Sequence, residues 1–360
     1  MRSSSRLTCA AAALGAVCAF ASPAQAQQQA QGFAVERFYP SAPGGGWLVM
    51  DDLDMRGGLG GAMAVSTSFA LKPLRVTDGT DHLDVISHQA FTAFGFAATY
   101  DRLRLYVDFT APVDSSGQSG TVGSTQFTAP AVDPSLTPDT LSDARIGFDA
   151  RILGDPGGAF RLGAGAQLYV PNGSRVDYDT DGTVRAMLRA LVAGDRGLFT
   201  YAAQLGVHVR PLDDAASAGP RGSELLFGAA AGARFPVGPR GTVMVVGPEV
   251  YGETAFEAFF RTTTTALEGL LSARVEGTAD DGPQLRVKLG GGGGLDQHFG
   301  APEWRVVVAL EVFDHSTDRD RDTITDSNDA CPDVPGVRTK DPTTNGCPRV
   351  EPVVPLPVPP

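Results

Sequence analysis

The sequence is poor in several features that mark common protein classes. Its 360 residues include only 4 Cys, 2 Trp and 5 His. The histidines, at positions 82, 88, 208, 298 and 315, show no metal-ligand spacing with another His or Cys. No nucleophile, base and orienting group form an identifiable set either. Beyond residues 1–26 no run of 18 or more apolar residues occurs, which excludes an α-helical membrane span. We therefore predict a protein that is not an enzyme.

Basic residues are also scarce. Lys and Arg number 29 against 41 Asp and Glu, so the formal net charge is -12. An acidic chain of this kind is a poor candidate for nucleic-acid binding. Residues 1–26 have the pattern of a secretory signal peptide, because Arg2 and Arg6 precede an apolar stretch at 7–20 and Ala24-Gln25-Ala26 supplies a small-x-small cleavage site. Cleavage would remove two arginines and leave the exported chain more acidic still.

What the sequence does have is a recurring two-residue alternation. Residues 102–109 read Arg-Leu-Arg-Leu-Tyr-Val-Asp-Phe. Successive side chains of a strand point to opposite faces, so the charged residues and Tyr share one face and the aliphatic residues and Phe share the other. The same pattern returns in later segments. This repetition predicts a transmembrane β-barrel, whose strands alternate lipid-facing and lumen-facing residues.

The predicted fold class is all-β, with an antiparallel barrel of about 12 strands over residues 58–313. Short and long connections alternate along it, as outer-membrane barrels require, and this parity puts both ends of the barrel in the periplasm. Residues 27–57 are predicted to be an N-terminal lead-in segment, either periplasmic or part of the first strand, and residues 290–294 a glycine loop. The alternative is a secreted Ca²⁺-dependent adhesion or binding module built on a β-sandwich.

Charged residues on the polar face of the predicted strands are the candidate functional residues of the barrel. They could form a network of ion pairs that fills the lumen, or they could line a wet, net-basic pore that favours anions or acidic solutes. The set comprises Arg102, Arg104, Asp108, Arg145, Asp149, Arg151, Arg161, Arg185, Arg189, Arg210, Glu268, Arg274, Arg286, Lys288, Arg305 and Glu311.

A dense acidic run follows the predicted barrel. Counted from Asp318, carboxylates stand at the spacing by which a looped chain wraps Ca²⁺ with oxygen ligands, and one backbone carbonyl is added at the seventh position. The predicted calcium ligands are Asp318, Asp320, Asp322, the Ile324 carbonyl, Asp326 and Asp329. A solvated acidic linker without a fixed metal is the alternative. Cys331 and Cys347 are the two cysteines left after signal cleavage, and an oxidising periplasm favours a disulfide between them.

The segment from Asp318 to Pro348 resembles a thrombospondin type 3 repeat, in the form found in large proteins of the outer-membrane protein A family. The resemblance rests on the acidic run, Cys331-Pro332, Pro335-Gly336 and Asn345-Gly346-Cys347-Pro348. It implies a calcium-binding periplasmic spacer at 314–348, although Thr323 stands where the family usually has Gly. In that family a peptidoglycan-binding domain normally follows the spacer, whereas residues 349–360 here are predicted to form a Pro-rich tail with no room for it, so peptidoglycan binding is not predicted from this sequence. We expect outer-membrane lipid as a partner, and periplasmic or cell-wall components as partners of the tail.

Overall fold

A computed structural model describes residues 28–55, 58–134, 141–212, 222–238, 242–277, 283–296, 299–314, 318, 320, 322 and 324–349. The predicted signal peptide and Pro-rich tail lie outside these ranges. The strands are β1 (Gln28–Gln29), β2 (Leu59–Thr77), β3 (His82–Tyr100), β4 (Leu103–Ser116), β5 (Gly120–Val122), β6 (Thr125–Phe127), β7 (Ala131–Val132), β8 (Ala144–Leu153), β9 (Arg161–Val170), β10 (Arg185–Arg196), β11 (Phe199–Val209), β12 (Glu224–Pro236), β13 (Val243–Ala255), β14 (Thr265–Glu276), β15 (Pro283–Asp296) and β16 (Trp304–Asp314).

Twelve of these strands, β2 to β4 and β8 to β16, form one closed antiparallel barrel. Each pairs with its neighbour in chain order, and β16 pairs with β2 to complete the ring. Closure leaves no unpaired sheet edge, the condition that a strand protein must meet in lipid. The predicted transmembrane barrel of about 12 strands is therefore confirmed, and the β-sandwich alternative is wrong because there is no second barrel-sized sheet among the described residues.

The alternation that predicted the strands is inverted relative to a water-soluble protein. In β16, Val308 and Leu310 are 48% and 47% exposed, whereas Arg305 and Glu311 are each 1% exposed. The apolar side chains therefore point outward and the charged ones inward. The stretch at 103–109 follows the same rule, with its leucines and Phe109 outside. An apolar exterior of this kind matches the hydrocarbon interior of a membrane.

The two ends of the barrel differ in the length of their connections. At one end, termed the short-turn end, the connections span 101–102, 154–160, 197–198, 237–242 and 277–282, and the spacer leaves there after β16. At the other, termed the long-loop end, they span 78–81, 117–143, 171–184, 210–223, 256–264 and 297–303. The longest, 117–143, carries the β5–β6 hairpin, to which β1 adds a parallel strand. Among the described residues no helix is both long and apolar enough to cross a membrane.

Two sequence predictions about the barrel are wrong. The glycine run at 290–294 lies inside β15 and pairs with β14 and β16, so it is not a loop. Glycine carries no side chain, so the run shows no alternation from which a strand could be recognised. Arg102 lies in the two-residue turn before β4, where its Nη1 donates to the carbonyl of Ile152 at 3.2 Å, rather than along the lumen.

Residues 30–55, termed here the luminal segment, lie inside the barrel. The segment is neither a lead-in outside the barrel nor part of the first strand. Its Phe38, Trp47, Leu48 and Met50 join a buried cluster with inward-facing residues of the strands, among them Tyr251. A second cluster, at the long-loop end, packs the start of the segment against the connecting loops. The segment carries much of the protein's buried apolar surface, a role that two-residue alternation could not reveal.

Candidate functional site

The luminal segment crosses the barrel from the long-loop end to the short-turn end. At the start, Val35 donates its amide to the carbonyl of Tyr178 in the 171–184 connection, at 3.1 Å. At the far end, Asp54 Oδ1 accepts the amide of Gly157 in the 154–160 connection, at 3.0 Å. The chain then enters β2 at Leu59. The first described residue, Gln28, is therefore at the opposite end of the barrel from the spacer.

A tight glycine turn folds the middle of the segment back on itself. The amide of Ser41 donates to the carbonyl of Leu48 at 2.8 Å, and the amide of Asp52 donates to the carbonyl of Gly45 at 2.8 Å. Gly46 has a φ of +89°, and a Cβ there would stand 2.1 Å from Asp52 Oδ2. Only glycine satisfies both conditions. The Gly-Gly-Gly-Trp sequence thus forms a compact turn within the lumen, termed here the glycine turn (residues 41–52).

One carboxylate of the barrel wall binds the glycine turn through backbone amides. Glu249 Oε1 accepts the amide of Leu48 at 2.9 Å, and Oε2 accepts the amide of Val49 at 2.9 Å and that of Met50 at 3.3 Å. Glu249 is fully buried. Hydrogen bonds to an ionised acceptor are about twice as strong as neutral ones. Glu249 therefore supplies a concentrated attachment point for the segment.

The wall also provides space where the segment approaches. A Cβ at Gly290 would stand 2.3 Å from Leu48 Cδ1, so a larger residue there would displace the glycine turn. The ammonium of Lys288 on the same strand donates to the carbonyl of Trp47 at 2.8 Å and to Ser41 Oγ at 3.2 Å. β15 is therefore complementary to the segment at two positions: Gly290 leaves room for Leu48, and Lys288 donates hydrogen bonds to Trp47 and Ser41.

Ion pairs join the segment to the wall at several heights. Near the long-loop end, Arg37 pairs with Glu224 at 3.2 Å and with Glu253 at 2.9 Å. The neighbouring Glu36 pairs with Arg305, the second residue of β16, at 2.7 Å. Toward the short-turn end, Asp51 pairs with Arg104, and the carbonyl of Asp52 accepts from Arg161 Nε at 2.7 Å. Every one of these side chains except Glu36 is buried to at least nine-tenths.

One acidic cluster has the donor atoms of a metal site but the surroundings of an ion-pair network. His208, Glu224 and Glu253 offer ligand atoms within 4.8 Å of one another. Arg210 Nη1 donates to Glu224 Oε1 at 2.8 Å, and Arg37 pairs with both carboxylates. Two guanidinium groups already neutralise this cluster, so it holds the segment and the wall together without requiring a metal.

The predicted luminal charges lie in this interior, with Arg102 as the exception. Most pair with one another or with the luminal segment, and all the others in the set are at most 8% exposed. Sequence reasoning missed their partners Glu36, Asp51 and Asp52, and it missed Arg37, which pairs with Glu224 and Glu253, because the segment that carries these residues has no strand periodicity. It also missed Glu249, which follows Pro248 in β13. The buried members of the predicted set are Arg104, Asp108, Arg145, Asp149, Arg151, Arg161, Arg185, Arg189, Arg210, Glu268, Arg274, Arg286, Lys288, Arg305 and Glu311.

The spacer has a geometry of its own. Cys331 and Cys347 form a disulfide. Asp318, Asp320 and Asp322 bring one carboxylate oxygen each within 4.8 Å of the others. Asp329 is buried, and its Oδ1 accepts the amide of Cys331 at 2.7 Å. The Thr323 position lies outside the described residues.

Acidic side chains of the spacer accept hydrogen bonds from its backbone amides. Asp322 Oδ1 accepts the amide of Ile324 at 2.8 Å, and its Oδ2 accepts the amide of Gly336 at 3.0 Å. The Asp320 Oδ2 and Asp329 Oδ2 atoms are buried without a hydrogen-bond partner. The pKa of Asp320 is raised, chiefly by partial burial. The nearby carboxylates of Asp322, Asp329 and Asp318 raise it further. This is a set of oxygen acceptors that a cation would stabilise.

No known protein family and no curated protein matches the chain. Solved structures similar to it are outer-membrane proteins. An outer-membrane channel of Pseudomonas putida F1 shares 16% identity over 72% of this chain and 97% of its own, with a TM-score of 0.44. The β-domain of the Bordetella autotransporter BrkA shares 16% over 71% and 98%, with a TM-score of 0.37. LpxR from Salmonella typhimurium shares 9% over 70% and 99%, with a TM-score of 0.35. Likenesses of this degree carry no argument about what the chain does.

Proposed function

We propose that this chain is an outer-membrane β-barrel that its own luminal segment holds closed, and that acts as a passive pore when the segment is displaced. The supporting observation is the filled lumen, in which Glu249 binds three consecutive amides of the segment inside an apolar exterior. Membrane-facing side chains favour insertion, and a closed β-barrel behind a predicted signal peptide favours the outer membrane. With the short-turn end in the periplasm, the spacer is periplasmic and the long loops are external.

The pore role rests on how little space the segment leaves. Among the residues that the structure describes, two cavities, of about 80 Å³ and about 20 Å³, lie between the segment and the barrel wall. They adjoin at Phe38, Pro40 and Ser66. Most of the remaining charges of the lumen are compensated by ion pairs, as between Arg286 and Glu311 at 2.9 Å, which favours a closed resting state over an open aqueous channel. Displacement of the segment would leave those charges facing water.

Conductance in planar lipid bilayers tests this role. We expect the wild-type barrel to show rare, small events and the Glu249→Gln variant to show more frequent ones, because a neutral amide holds the three backbone amides less strongly. Glu303→Gln is the matched control, since Glu303 is exposed and lies outside the lumen. Equal event frequencies in wild type and Glu249→Gln, with both proteins folded, would contradict a gating role for the segment.

We also propose that the spacer binds Ca²⁺. Asp318, Asp320, Asp322 and Asp329 would hold the ion with the Ile324 carbonyl and Asp326, and the ion would supply the positive charge that this acidic set lacks. The unpartnered Asp320 and Asp329 oxygens support the proposal. The resemblance to thrombospondin type 3 repeats and the outer-membrane protein A family stays a prediction, as do partners of the tail.

Calorimetric titration of the whole detergent-solubilised protein with Ca²⁺ tests the spacer. We expect saturable binding that the double variant Asp320→Asn/Asp329→Asn abolishes, and binding unchanged in the control Asp341→Asn, whose carboxylate caps the separate 341–345 turn. Absence of heat at millimolar Ca²⁺ in the wild type would favour a solvated acidic linker.

A further inference from the structure

The larger of the two cavities opens toward the long-loop end and has a mixed lining. The luminal side chains of β2 and β3 are small there, with Ser66, Ser68 and Ala93 on the wall opposite the segment. Phe38 and Phe91 supply apolar surface. The space, about 80 Å³, exceeds what one water molecule requires. It is the size of a site for a small solute.

Most charges around the cavity are already paired. Arg145 contacts Asp108 at 2.9 Å, and Arg185 Nη2 donates to Asp143 Oδ2 at 2.8 Å. Glu36, which also lines the cavity, is neutralised by Arg305 of β16. These pairs leave the cavity with little net charge of their own, so a ligand must be recognised by the groups that remain.

Two side chains near the cavity, Arg185 and Tyr39, have buried polar atoms without a hydrogen-bond partner. Arg185 is 3% exposed and pairs with Asp143 and, at 3.8 Å, with Asp181, but its Nε and Nη1 atoms are buried without a hydrogen-bond acceptor. The Tyr39 hydroxyl is likewise buried without a partner. These groups are donors. They favour a ligand with an oxygen acceptor, best an anionic one.

The third remaining group is a carboxylate. Asp179 is 5% exposed and accepts the amide of Ser174 at 2.6 Å and the Ser142 hydroxyl at 3.5 Å. No ion pair with Asp179 occurs among the residues that the structure describes. The carboxylate of Asp143, which Arg185 neutralises, is its neighbour. A cation at Asp179 would therefore complete the charge balance of the cavity mouth.

We propose that this cavity binds a small zwitterion of the α-amino-acid class, with its carboxylate at Arg185 and Tyr39 and its ammonium group at Asp179. The volume restricts the side chain to a few atoms, as in glycine, alanine or serine, and Phe38 and Phe91 face that side chain. The site deepens the proposed pore function, because it lies where a solute from the long-loop end would meet the luminal segment.

Binding of alanine to the whole protein in detergent tests the site without any need for conductance. We expect saturable, millimolar binding by ligand-observed NMR, weakened about tenfold in Asp179→Asn and in Arg185→Gln, and less in Tyr39→Phe. The control Arg196→Gln, at an exposed position at the short-turn end, should leave binding unchanged. Propionate and ethylamine each present one of the two charges and should bind at least tenfold more weakly than alanine.

The outcomes separate this inference from the pore. Alanine binding equal to that of propionate, or unaffected by Asp179→Asn in a folded protein, would overturn the zwitterion site and leave the pore proposal intact. Tyr39→Phe keeps the test valid if Arg185→Gln fails to fold, because it removes a single hydroxyl. Alanine binding by a barrel that never conducts would support the site while contradicting the pore.

Discussion

The two walls of the lumen differ in what they offer the luminal segment. The wall formed by β4 and β8–β16, termed the charged wall, contributes the ion pairs and hydrogen bonds that hold the segment, including those of Glu249 and Arg305. The wall formed by β2 and β3, termed the neutral wall, presents small residues such as Ser66 and Ala93, and the cavities lie along it. A lumen can thus be closed by attachment on one side while space remains on the other.

The difference has an energetic reason. A buried charge without a partner is costly, so each charge that faces the lumen requires a counter-charge from the wall or the segment. The neutral wall imposes no such requirement, because it meets the segment through small and apolar residues, as where a Cβ at Gly95 would stand 2.7 Å from Pro43 Cγ. Attachment should therefore be sensitive to single substitutions on the charged wall and tolerant of them on the neutral wall.

The largest effect is expected at the ion pairs of the segment. Arg37→Met leaves Glu224 and Glu253 without their shared guanidinium, and we expect the free energy of unfolding to fall by about 3–5 kcal/mol. Urea titration of the folded barrel, followed by heat-modifiable gel migration, measures it. The control Arg75→Met removes half-exposed pairs with Asp84 and Glu303 and should cost about 0–1 kcal/mol. Similar losses in the two variants would contradict the importance of the luminal pairs.

A smaller effect on the free energy of unfolding is expected at Gly290, where the charged wall packs closely against the glycine turn. Gly290→Leu forces a side chain against Leu48, and overpacking of this kind costs about 1–3 kcal/mol. Gly291→Leu is the matched control, because a Cβ there has only Arg305 O, at 3.7 Å, as a neighbour. The same urea titration compares them. If Gly290→Leu were as stable as Gly291→Leu, the segment would not pack against β15 as described.

The 171–184 connection, which the segment contacts at its start, should respond to pH. Burial raises the pKa of Asp179 to about 7, above the value of about 3.9 in an unfolded chain. The folded connection then binds the proton more tightly than the opened one, so its stability falls as pH rises from about 4 to about 7 and stays level above that.

Hydrogen exchange of the amides at 174–181, corrected for intrinsic rates, measures this opening. We expect opening to increase about tenfold between pH 5 and pH 8, a change of about 1.4 kcal/mol, because part of the burial persists when only the connection opens. Asp179→Asn should make the opening independent of pH in this interval. A wild-type connection with no pH dependence would show that Asp179 is solvated.

The smallest effect is expected on the neutral wall. Ser66→Val adds volume that the adjoining cavities can accept, so we expect a change in the free energy of unfolding of less than about 0.5 kcal/mol, as at unconstrained positions. Urea titration beside Gly290→Leu provides the comparison. A loss as large as that of Gly290→Leu would mean that the segment presses on both walls equally.

The barrel could be predicted from sequence because its signal is local. A strand such as β16 places Val306, Val308 and Leu310 on one face and Arg305, Ala309 and Glu311 on the other, so a few consecutive residues already show the two-sided environment. The glycine run in β15 could not be recognised, since its residues have no side chains to alternate. The strand number followed from counting the alternating segments, and the regular succession of short and long connections agreed with an even number.

The contents of the lumen could not be predicted in the same way. The luminal segment has no helical or strand period, because its residues contact several different strands of the wall, among them β12, β13, β15 and β16. Glu36 and Arg305 are paired across 269 positions of sequence, and only the closed barrel brings them together. The Gly-Gly-Gly-Trp sequence was the one local signal, and it indicates a tight turn without showing where that turn lies.

The path of the segment through the barrel is tested most directly by labelling its two ends. Gln28→Cys places a thiol at the long-loop end, and Lys340→Cys places one in the exposed part of the spacer. A membrane-impermeant maleimide applied to intact cells should label Gln28→Cys at once and Lys340→Cys only after the outer membrane is permeabilised. Labelling of Gln28→Cys only after permeabilisation, as for Lys340→Cys, would contradict a segment that crosses the lumen.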